Sequence, residues 1–447
     1  MRLWDTALRE VVDLKPRHPG KFSFYVCGPT VYAPPHVGHG RLLLIYDILR
    51  RYMQWRGLEV RHVSNVTDIE DKIIAQAIEE GVEASELAAA SEAAWFETSD
   101  RLGVLRPDFV PHATEYVDRM VEFIAELIRT EHAYVTSDGV YFEVAKLEGY
   151  GALLNQPLES LRAGARVDVV EDKRAPADFA LWKLAKPGEP RWPSPWGDGR
   201  PGWHIECTVM ALELLGDDFD LHGAGDDLIF PHNENERAQA LAGGHLFARH
   251  WMHHGMLTSG GEKMSKSVGN VLSLDEALAE HDVRALRLLV LRSHYRSPME
   301  VTSVGLGDAS AALRRLDAFA RRFLPESNGA TGAELDQFIS HMDDDLDTPG
   351  ATAVLFDTLR RANGEADRGK RAAADALAAQ VHDMCRAVGL EYRVSAEIDQ
   401  ESRALVDQRD AARAARDFAK ADALRAELEA RGWIVEDTSD GAKLHPA

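Results

Sequence analysis

Two histidines flank a glycine near the start of the chain, in the run His36-Val37-Gly38-His39. A β-rich segment, residues 22–27, precedes them, and residues 41–55 carry apolar side chains at helical spacing. The first turn of a helix that follows a strand presents unpaired amide groups and a positive dipole end, which attract phosphate. Imidazoles can donate to phosphate oxygens, and Gly38 allows a flat base to approach the backbone. The run indicates a nucleotide site or, as the alternative, two surface histidines in a polar loop.

Two lysines, Lys263 and Lys266, follow the glycine pair Gly260-Gly261. Lysines on a glycine-hinged loop can neutralise the charge that develops on a departing pyrophosphate. On an acidic protein, however, such lysines are often only solvated loop residues. The interpretation therefore depends on what the rest of the chain places beside them.

The elements around these motifs predict an α/β fold. Strand 22–27, helix 41–55 and strand 59–66 follow one another closely, as in a βαβ crossover that opens a doubly wound parallel sheet of Rossmann type. Residues 115–200 read as an insertion, and the alternating pattern then resumes. Beyond residue 282 the pattern becomes helical, with a bundle over 305–390. A charged helix over 403–431 and a small hairpin complete a C-terminal α+β module.

Composition limits the classes of protein. Hydrophobic residues make up 45% and charged residues 28% of 447 residues, which is globular composition. No long apolar run or signal-like start is present, so we expect a cytoplasmic protein without a membrane partner. Three cysteines cannot form a disulfide framework, and a net charge of −22 argues against a general polyanion-binding surface.

The H-x-G-H run followed much later by Lys263-Met264-Ser265-Lys266-Ser267 resembles the signature pair of the class I aminoacyl-tRNA synthetases. Five further blocks resemble the cysteinyl-tRNA synthetase family: residues 25–32, 65–72, 202–207, 230–236 and 294–298. The resemblance runs from about residue 3 to residue 444. It implies a ligase that activates L-cysteine with ATP and Mg²⁺ and transfers it to the 3′ end of tRNA(Cys). It assigns ATP binding to His36, Gly38, His39 and Lys266, and catalysis to His36, His39, Lys263 and Lys266.

The resemblance also implies one Zn²⁺ per chain, held by Cys27, Cys207, His232 and Glu236. Their types suit zinc, and the last two stand at i and i+4, on one face of an expected helix. Buried free cysteines and an ordinary His–Glu helix pair are the alternatives. A soft metal would separate cysteine from serine, since it binds a thiolate whereas an alcohol stays protonated.

Around this metal the family pattern places Thr67, Trp203 and Asp227 as substrate-binding residues, with Asp227 as the expected counter-ion for the ammonium group. The sequence departs from the common family spelling at Ala224, at Asn233, where a second histidine is usual, and at Gly40. None of these departures removes an expected ligand.

We expect five parts along the chain. They are a split catalytic domain (1–114 and 201–258), a connective insertion (115–200), a lysine-loop and stem-contact region (259–304), a tRNA-binding helical bundle (305–390) and an anticodon-binding module (391–447). Between residues 283 and 322, eight arginines face three acids, a local net of +5 that predicts contacts with RNA phosphates.

Two other functions remain open from the sequence. The first is a ligase that joins cysteine to a small amine, as in mycothiol-pathway relatives; these lack a full anticodon-binding end, so residues 390–447 oppose it. The second is a non-catalytic paralogue, which would be expected to have lost a motif histidine or lysine. We expect a monomer.

Overall fold

The computed structural model describes residues 1–154, 172–259, 262–263, 273–279, 281–324, 329–394, 400–438 and 441–446. The chain divides into two compact units. Unit 1 comprises Met1–Ala277, Val290–Val301 and Ile339–Ala351, and unit 2 comprises Leu278–Leu289, Thr302–Phe338 and Thr352–Ala447.

The strands and helices of these residues are as follows. The strands are β1 (Arg2–Asp5), β2 (Glu10–Asp13), β3 (Lys21–Val26), β4 (Glu59–Ser64), β5 (Ala133–Val135), β6 (Gly139–Phe142), β7 (Phe179–Leu184), β8 (Gly199–Pro201), β9 (Phe219–Gly225), β10 (Ala248–His254), β11 (Leu257–Ser259), β12 (Glu262–Lys263), β13 (Met299–Glu300), β14 (Trp433–Thr438) and β15 (Gly441–Pro446). The α-helices are α1 (Val37–Trp55), α2 (Asp71–Glu80), α3 (Ala84–Arg101), α4 (Val117–Arg129), α5 (Trp203–Leu215), α6 (Glu234–Ala242), α7 (Leu274–Leu278), α8 (Arg284–Leu291), α9 (Ser303–Arg322), α10 (Ala333–Asp343), α11 (Thr348–Asp367), α12 (Arg371–Val388), α13 (Gln400–Ala414) and α14 (Phe418–Ala430).

A four-stranded sheet forms the centre of unit 1, with strand order β10-β9-β3-β4 and every pairing parallel. All seven residues of β9 are buried, as expected for a strand covered on both faces. The carboxyl ends of β3, β4 and β9 meet at one edge, where open α/β sheets bind ligands. With the helical region and small α+β module that follow, this sheet confirms the predicted fold class.

Helix α1 starts at Val37, four residues before the predicted start at Arg41. The apolar pattern begins only after the polar first turn, so it could not show this turn, which His36 caps. The Tyr46 hydroxyl on α1 lies 3.0 Å from the carbonyl oxygen of Ala224 on β9 and 2.9 Å from that of Met252 on β10, and it shares its one proton between them. This contact fixes the helix to two neighbouring strands.

The expected insertion contains α4 and an antiparallel sheet of order β5-β6-β7-β8. Its buried side chains, such as Phe142 and Trp182, belong to the same apolar cluster as Tyr25 of β3 and Ile205 of α5. The insertion therefore shares a core with the central sheet.

Unit 2 is mainly helical. Helix α12 ends at Val388 and is capped by Gly389, whose positive φ of 68° is typical of the left-handed residue after a helix. The predicted single helix over 403–431 is wrong, because the chain turns at Arg416 (φ 59°) between α13 and α14. Asp417 then caps α14 by accepting from the Lys420 amide at 3.2 Å.

The C-terminal segment has an apolar cluster of its own. The two helices α13 and α14 and the hairpin β14–β15 bury its members, which are Leu405, Leu424, Leu428, Trp433, Val435 and Leu444. Among the helices of the described residues, none combines the length and the apolar character that a membrane span requires.

Candidate functional site

The four expected metal ligands lie together at the carboxyl edge of the central sheet. Cys27 follows β3 directly, Cys207 lies on α5, His232 occupies the turn before α6, and Glu236 lies on α6. At most 3% of any of the four is exposed, and one ligand atom from each lies within 4.8 Å of the others. The Nε2 atom of His232 lies 2.9 Å from Oε1 of Glu236. His232 precedes α6 rather than lying on it, yet the i, i+4 pair still meets.

The electrostatics of this cluster favour ionised ligands. Burial opposes ionisation of Cys207, but hydrogen bonds from Cys27 and His232 outweigh it and lower the pKa of the Cys207 thiol to about 6. The pKa of Glu236 lies well below its usual range because the charges of His222 and His232 overcome its burial. Burial raises the pKa of Cys27. One thiolate and one carboxylate thus share the buried site with a protonated His232, whose pKa burial lowers but Glu236 and Cys207 raise to about 10, so a divalent metal bound here would displace that proton.

Further side chains, whose roles we did not predict from the sequence, hold these ligands in place. His222 on β9 places Nε2 2.7 Å from Oε2 of Glu236. The Asn233 amide donates to Sγ of Cys27 at 3.4 Å and to Oε1 of Glu236 at 2.9 Å. The sequence did contain one signal for His222, namely a polar residue inside a strand that is otherwise typical of a sheet interior.

Asn65 and Glu206 are two more buried polar residues beside the cluster. Asn65 accepts from the Gly28 amide at 2.9 Å and donates to Oγ1 of Thr67 at 3.2 Å. Thr67 donates to Oε2 of Glu206 at 2.9 Å. Burial raises the pKa of Glu206 well above its ordinary value, and its Oε1 accepts no hydrogen bond from the described residues.

The three residues expected to bind the substrate differ in how close they lie to the metal-ligand cluster. The Thr67 contacts bring it beside Cys207, since Asn65 also accepts from Sγ of Cys207 at 3.6 Å. The Trp203 ring lies over the His232 ring with centroids 4.3 Å apart. Asp227 is exposed, in a short turn after β9. Trp203 thus borders the cluster directly, and Thr67 borders it through Asn65.

The H-x-G-H run forms a capping box at the start of α1. Nδ1 of His36 accepts from the Gly38 amide at 3.1 Å, and Nδ1 of His39 accepts from the His36 amide at 3.2 Å. The rings stack with centroids 3.8 Å apart. A Cβ at Gly38 would lie 2.9 Å from the His36 ring, so glycine is required for this packing. Because a neutral imidazole whose Nδ1 accepts carries its proton on Nε2, both rings present Nε2 as a donor.

The lysine motif lies largely outside the described residues. The backbone of Lys263 belongs to β12, where it pairs with Thr258 of β11. Lys266 falls in the segment that the structure does not describe. The backbone of Ser273 pairs with His36, so the chain returns to the H-x-G-H run after that segment.

Two of the eight arginines in the predicted patch, Arg284 and Arg287, are already engaged within unit 2. In unit 2, Arg284 pairs with Asp282 and Asp317 at 2.6 and 2.8 Å, and Arg287 is buried. Arg314 and Arg315 on α9 are exposed.

Comparisons with known proteins identify the class. The model of the tRNA synthetases class I (C) catalytic domain matches residues 13–311, and the DALR domain model matches residues 337–392. Solved structures with the same fold include Mycobacterium tuberculosis methionyl-tRNA synthetase in complex with methionyl-adenylate, with a TM-score of 0.60 and 16% identity over 83% of this chain and 90% of that chain. The ternary complex of Agrobacterium radiobacter K84 agnB2 LeuRS with tRNA and LeuAMS gives a TM-score of 0.61 and 12% identity over 85% and 84%. The fold and the matched domains define a class I aminoacyl-tRNA synthetase, an ATP-dependent ligase.

Curated relatives narrow this class. The cysteine–tRNA ligase of Halorhodospira halophila is 46% identical over 96% of both chains, and that of Sodalis glossinidius is 43% identical over 99% of this chain and 98% of the relative. The cysteine–tRNA ligase of Coxiella burnetii (strain Dugway) is 44% identical over 99% of both chains. The chain belongs to the cysteine–tRNA ligase family.

Proposed function

We propose that the protein activates L-cysteine with ATP, transfers it to the 3′ end of tRNA(Cys), and selects cysteine over serine at a zinc ion. The observation that carries this proposal is the buried group of Cys27, Cys207, His232 and Glu236 at the edge where the sheet binds ligands. The relatives' shared name supports the choice of amino acid and acceptor.

The donor set fits zinc. Two sulfurs, one imidazole nitrogen and one carboxylate oxygen are ligands that Zn²⁺ accepts. The lowered pKa values of Cys207 and Glu236 leave two negative charges in the buried cluster. The proton on His232 balances one of them, and a divalent cation that displaces this proton would neutralise both. When bound, zinc would favour the thiolate of the substrate cysteine over the neutral hydroxyl of serine.

The surrounding residues bind and orient the amino acid in this proposal. Thr67 and Trp203 border the cluster and form the walls of the substrate site. Asp227 supplies the carboxylate that pairs with the substrate ammonium, from the turn that follows β9. The substrate carboxylate then faces the nucleotide.

Adenylation joins the substrate carboxylate to ATP. A carboxylate oxygen attacks the α-phosphorus, a mixed anhydride bond forms, and the bond to the departing pyrophosphate breaks. His36 and His39 donate from Nε2 to phosphate oxygens, and Gly38 allows the adenine to approach the backbone. Lys263 and Lys266, with Mg²⁺ accompanying ATP, stabilise the charge on pyrophosphate.

The C-terminal half of the protein supports tRNA as the second substrate. The DALR match covers residues 337–392, which overlaps all but the first part of the expected bundle region and ends two residues beyond it, and the α13–α14 and β14–β15 module follows. We propose that residues 305–390 bind tRNA, that residues 391–447 bind the anticodon, and that the protein acts as a monomer.

A charging assay tests the proposal. The purified protein, total tRNA, ATP and Mg²⁺ are incubated with labelled cysteine, with labelled serine, or with cysteine and glucosamine-inositol in place of tRNA. We expect cysteine on tRNA, with kcat/KM exceeding that for serine by on the order of 10⁴. Product with glucosamine-inositol and none with tRNA would contradict the proposal and favour the amine ligase.

A further inference from the structure

Arg41 is a buried cation in the second turn of α1, two residues after His39. Only 1% of the residue is exposed. Nη1 donates to the carbonyl of Met256 at 3.0 Å, and Nη2 donates to the carbonyls of Tyr295 and Ser297 at 3.1 and 2.5 Å. Nη2 also lies 3.5 Å from the carbonyl of His294. One guanidinium therefore joins α1 to two separate stretches of backbone.

The guanidinium keeps its charge in this position. Burial lowers the pKa of Arg41 to about 10, partly offset by the nearby Asp226, so the group stays protonated at neutral pH. The acceptors of these four contacts are all backbone carbonyls. A planar fork can reach several carbonyls at once, whereas a lysine ammonium is a single point of donation.

The two stretches that Arg41 holds lead into the small sheet that carries Lys263. Met256 precedes β11, and residues 294–297 precede β13. β11 pairs in parallel with β13, and it pairs with β12 through Thr258 and Lys263. The two stretches are closely packed, because the Gly255 amide donates to the Tyr295 carbonyl at 2.9 Å and a Cβ at Gly255 would lie 2.6 Å from the Arg296 carbonyl oxygen.

The other end of the contact is the H-x-G-H run. Arg41 and the capping box share the first two turns of α1, so the guanidinium and the imidazoles of His36 and His39 move with one rigid element. The two motifs expected to bind ATP therefore lie on two separate elements, the start of α1 and the sheet β12-β11-β13. Arg41 joins these two elements.

We propose that Arg41 is a positioning residue for adenylation, which fixes His36 and His39 relative to the strand that carries Lys263. This inference rests on the proposed function. Arg41 itself touches no reacting atom in this arrangement, and it acts through the backbone that it holds.

The test compares Arg41→Lys and Arg41→Met with Arg50→Lys and Arg50→Met. Arg50 is a matched control, since it lies on the same helix, is 7% exposed, and donates to the Arg106 carbonyl and the Asp108 carboxylate at 2.6 and 2.7 Å. Cysteine-dependent ATP–pyrophosphate exchange gives kcat and the KM values for ATP and cysteine. Amide hydrogen exchange is measured in peptides that cover residues 256–259 and 294–300.

We expect both Arg41 variants to lower kcat by about 10²-fold, because a shift of about 1 Å between reacting groups has that effect. The KM for cysteine should stay near the wild-type value, and hydrogen exchange should rise in the two peptides and not in β9. The Arg50 variants should lose thermal stability without this pattern.

Two outcomes would overturn the inference. An Arg41→Lys kcat equal to that of Arg50→Lys would remove the positioning role. A lower kcat without faster exchange at 256–259 and 294–300 would assign Arg41 another role. A wild-type protein without cysteine-dependent exchange would instead refute the proposed function itself, which distinguishes the two failures.

Discussion

Asn233 stands between two candidate metal ligands and donates to both, the Cys27 sulfur and the Glu236 carboxylate. Its amide oxygen lies 2.9 Å from Nε2 of His253, and Nδ1 of His253 lies 2.8 Å from the Thr6 hydroxyl. This chain of contacts fixes the orientation of the amide. Groups that hydrogen-bond to metal ligands set their geometry and their affinity for the ion.

We predict that Asn233→Ala weakens zinc binding by about 10-fold to 100-fold, because both ligands lose a fixed donor. Competition between the protein and a zinc-sensitive chelator dye measures this affinity without reference to catalysis. Asn235→Ala is the matched control, since Asn235 is equally buried nearby but accepts from the Tyr150 hydroxyl at 2.6 Å. Equal affinity in the two variants would show that Asn233 does not support the ligands.

The sequence indicated the four candidate metal ligands more readily than the buried polar residues that surround them. Cys27 and Cys207 are far apart in the chain, and only the family resemblance joined them to His232 and Glu236. Glu206, His222 and Asn233 were not predicted in their roles, because a buried polar contact between distant elements leaves no periodic pattern in the sequence. The sequence also did not predict that Nδ1 of His36 and Nδ1 of His39 accept backbone hydrogen bonds in a capping box.

At the scale of elements, β-rich segments predicted β3 and β4, and apolar side chains at helical spacing predicted α1, in the order that the structure shows. The break between α13 and α14 escaped prediction. The break consists of Ala415, Arg416 and Asp417, and none of the three is a glycine or a proline that would mark a turn. The turn depends instead on a cap and on packing between the two helices. Local propensity alone favours a continuous helix there.

The contact of α1 with β9 depends on Gly223. A Cβ at this position would lie 2.4 Å from Cε1 of Tyr46, and the two hydrogen bonds of the Tyr46 hydroxyl prevent the ring from turning away. We predict that Gly223→Ala lowers the free energy of unfolding by about 1–3 kcal/mol through overpacking. Urea denaturation followed by circular dichroism measures the change.

The matched control is Gly307→Ala on α9, where the nearest atom to an added Cβ is 3.9 Å away. This change should raise the free energy of unfolding by about 0.5–1 kcal/mol, because alanine has less backbone entropy to lose in a helix. Destabilisation of the same size in both variants would contradict the role of the Tyr46 contact.

At the scale of the whole molecule, charge limits how an acidic protein binds RNA. With 51 basic and 73 acidic residues, the net charge of −22 repels a polyanion except at local basic sites. Four residues of the predicted patch, Arg284, Arg287, Arg296 and Arg322, make contacts within the protein, with Asp345 as the partner of Arg296 and Asp367 as the partner of Arg322. Arg314 and Arg315 on α9 are exposed.

We predict that Arg314→Ala with Arg315→Ala weakens tRNA binding and leaves ATP–pyrophosphate exchange unchanged. Each lost phosphate contact should reduce the slope of log K against log salt concentration by about 1. Filter binding over a range of salt concentrations measures the slope, with Arg119→Ala on α4 as the control, since Arg119 is also exposed and pairs with Glu122 at 2.9 Å. A slope that the double variant leaves unchanged would mean that tRNA phosphates do not contact this part of α9. The RNA-binding surface would then have to be found elsewhere on the chain.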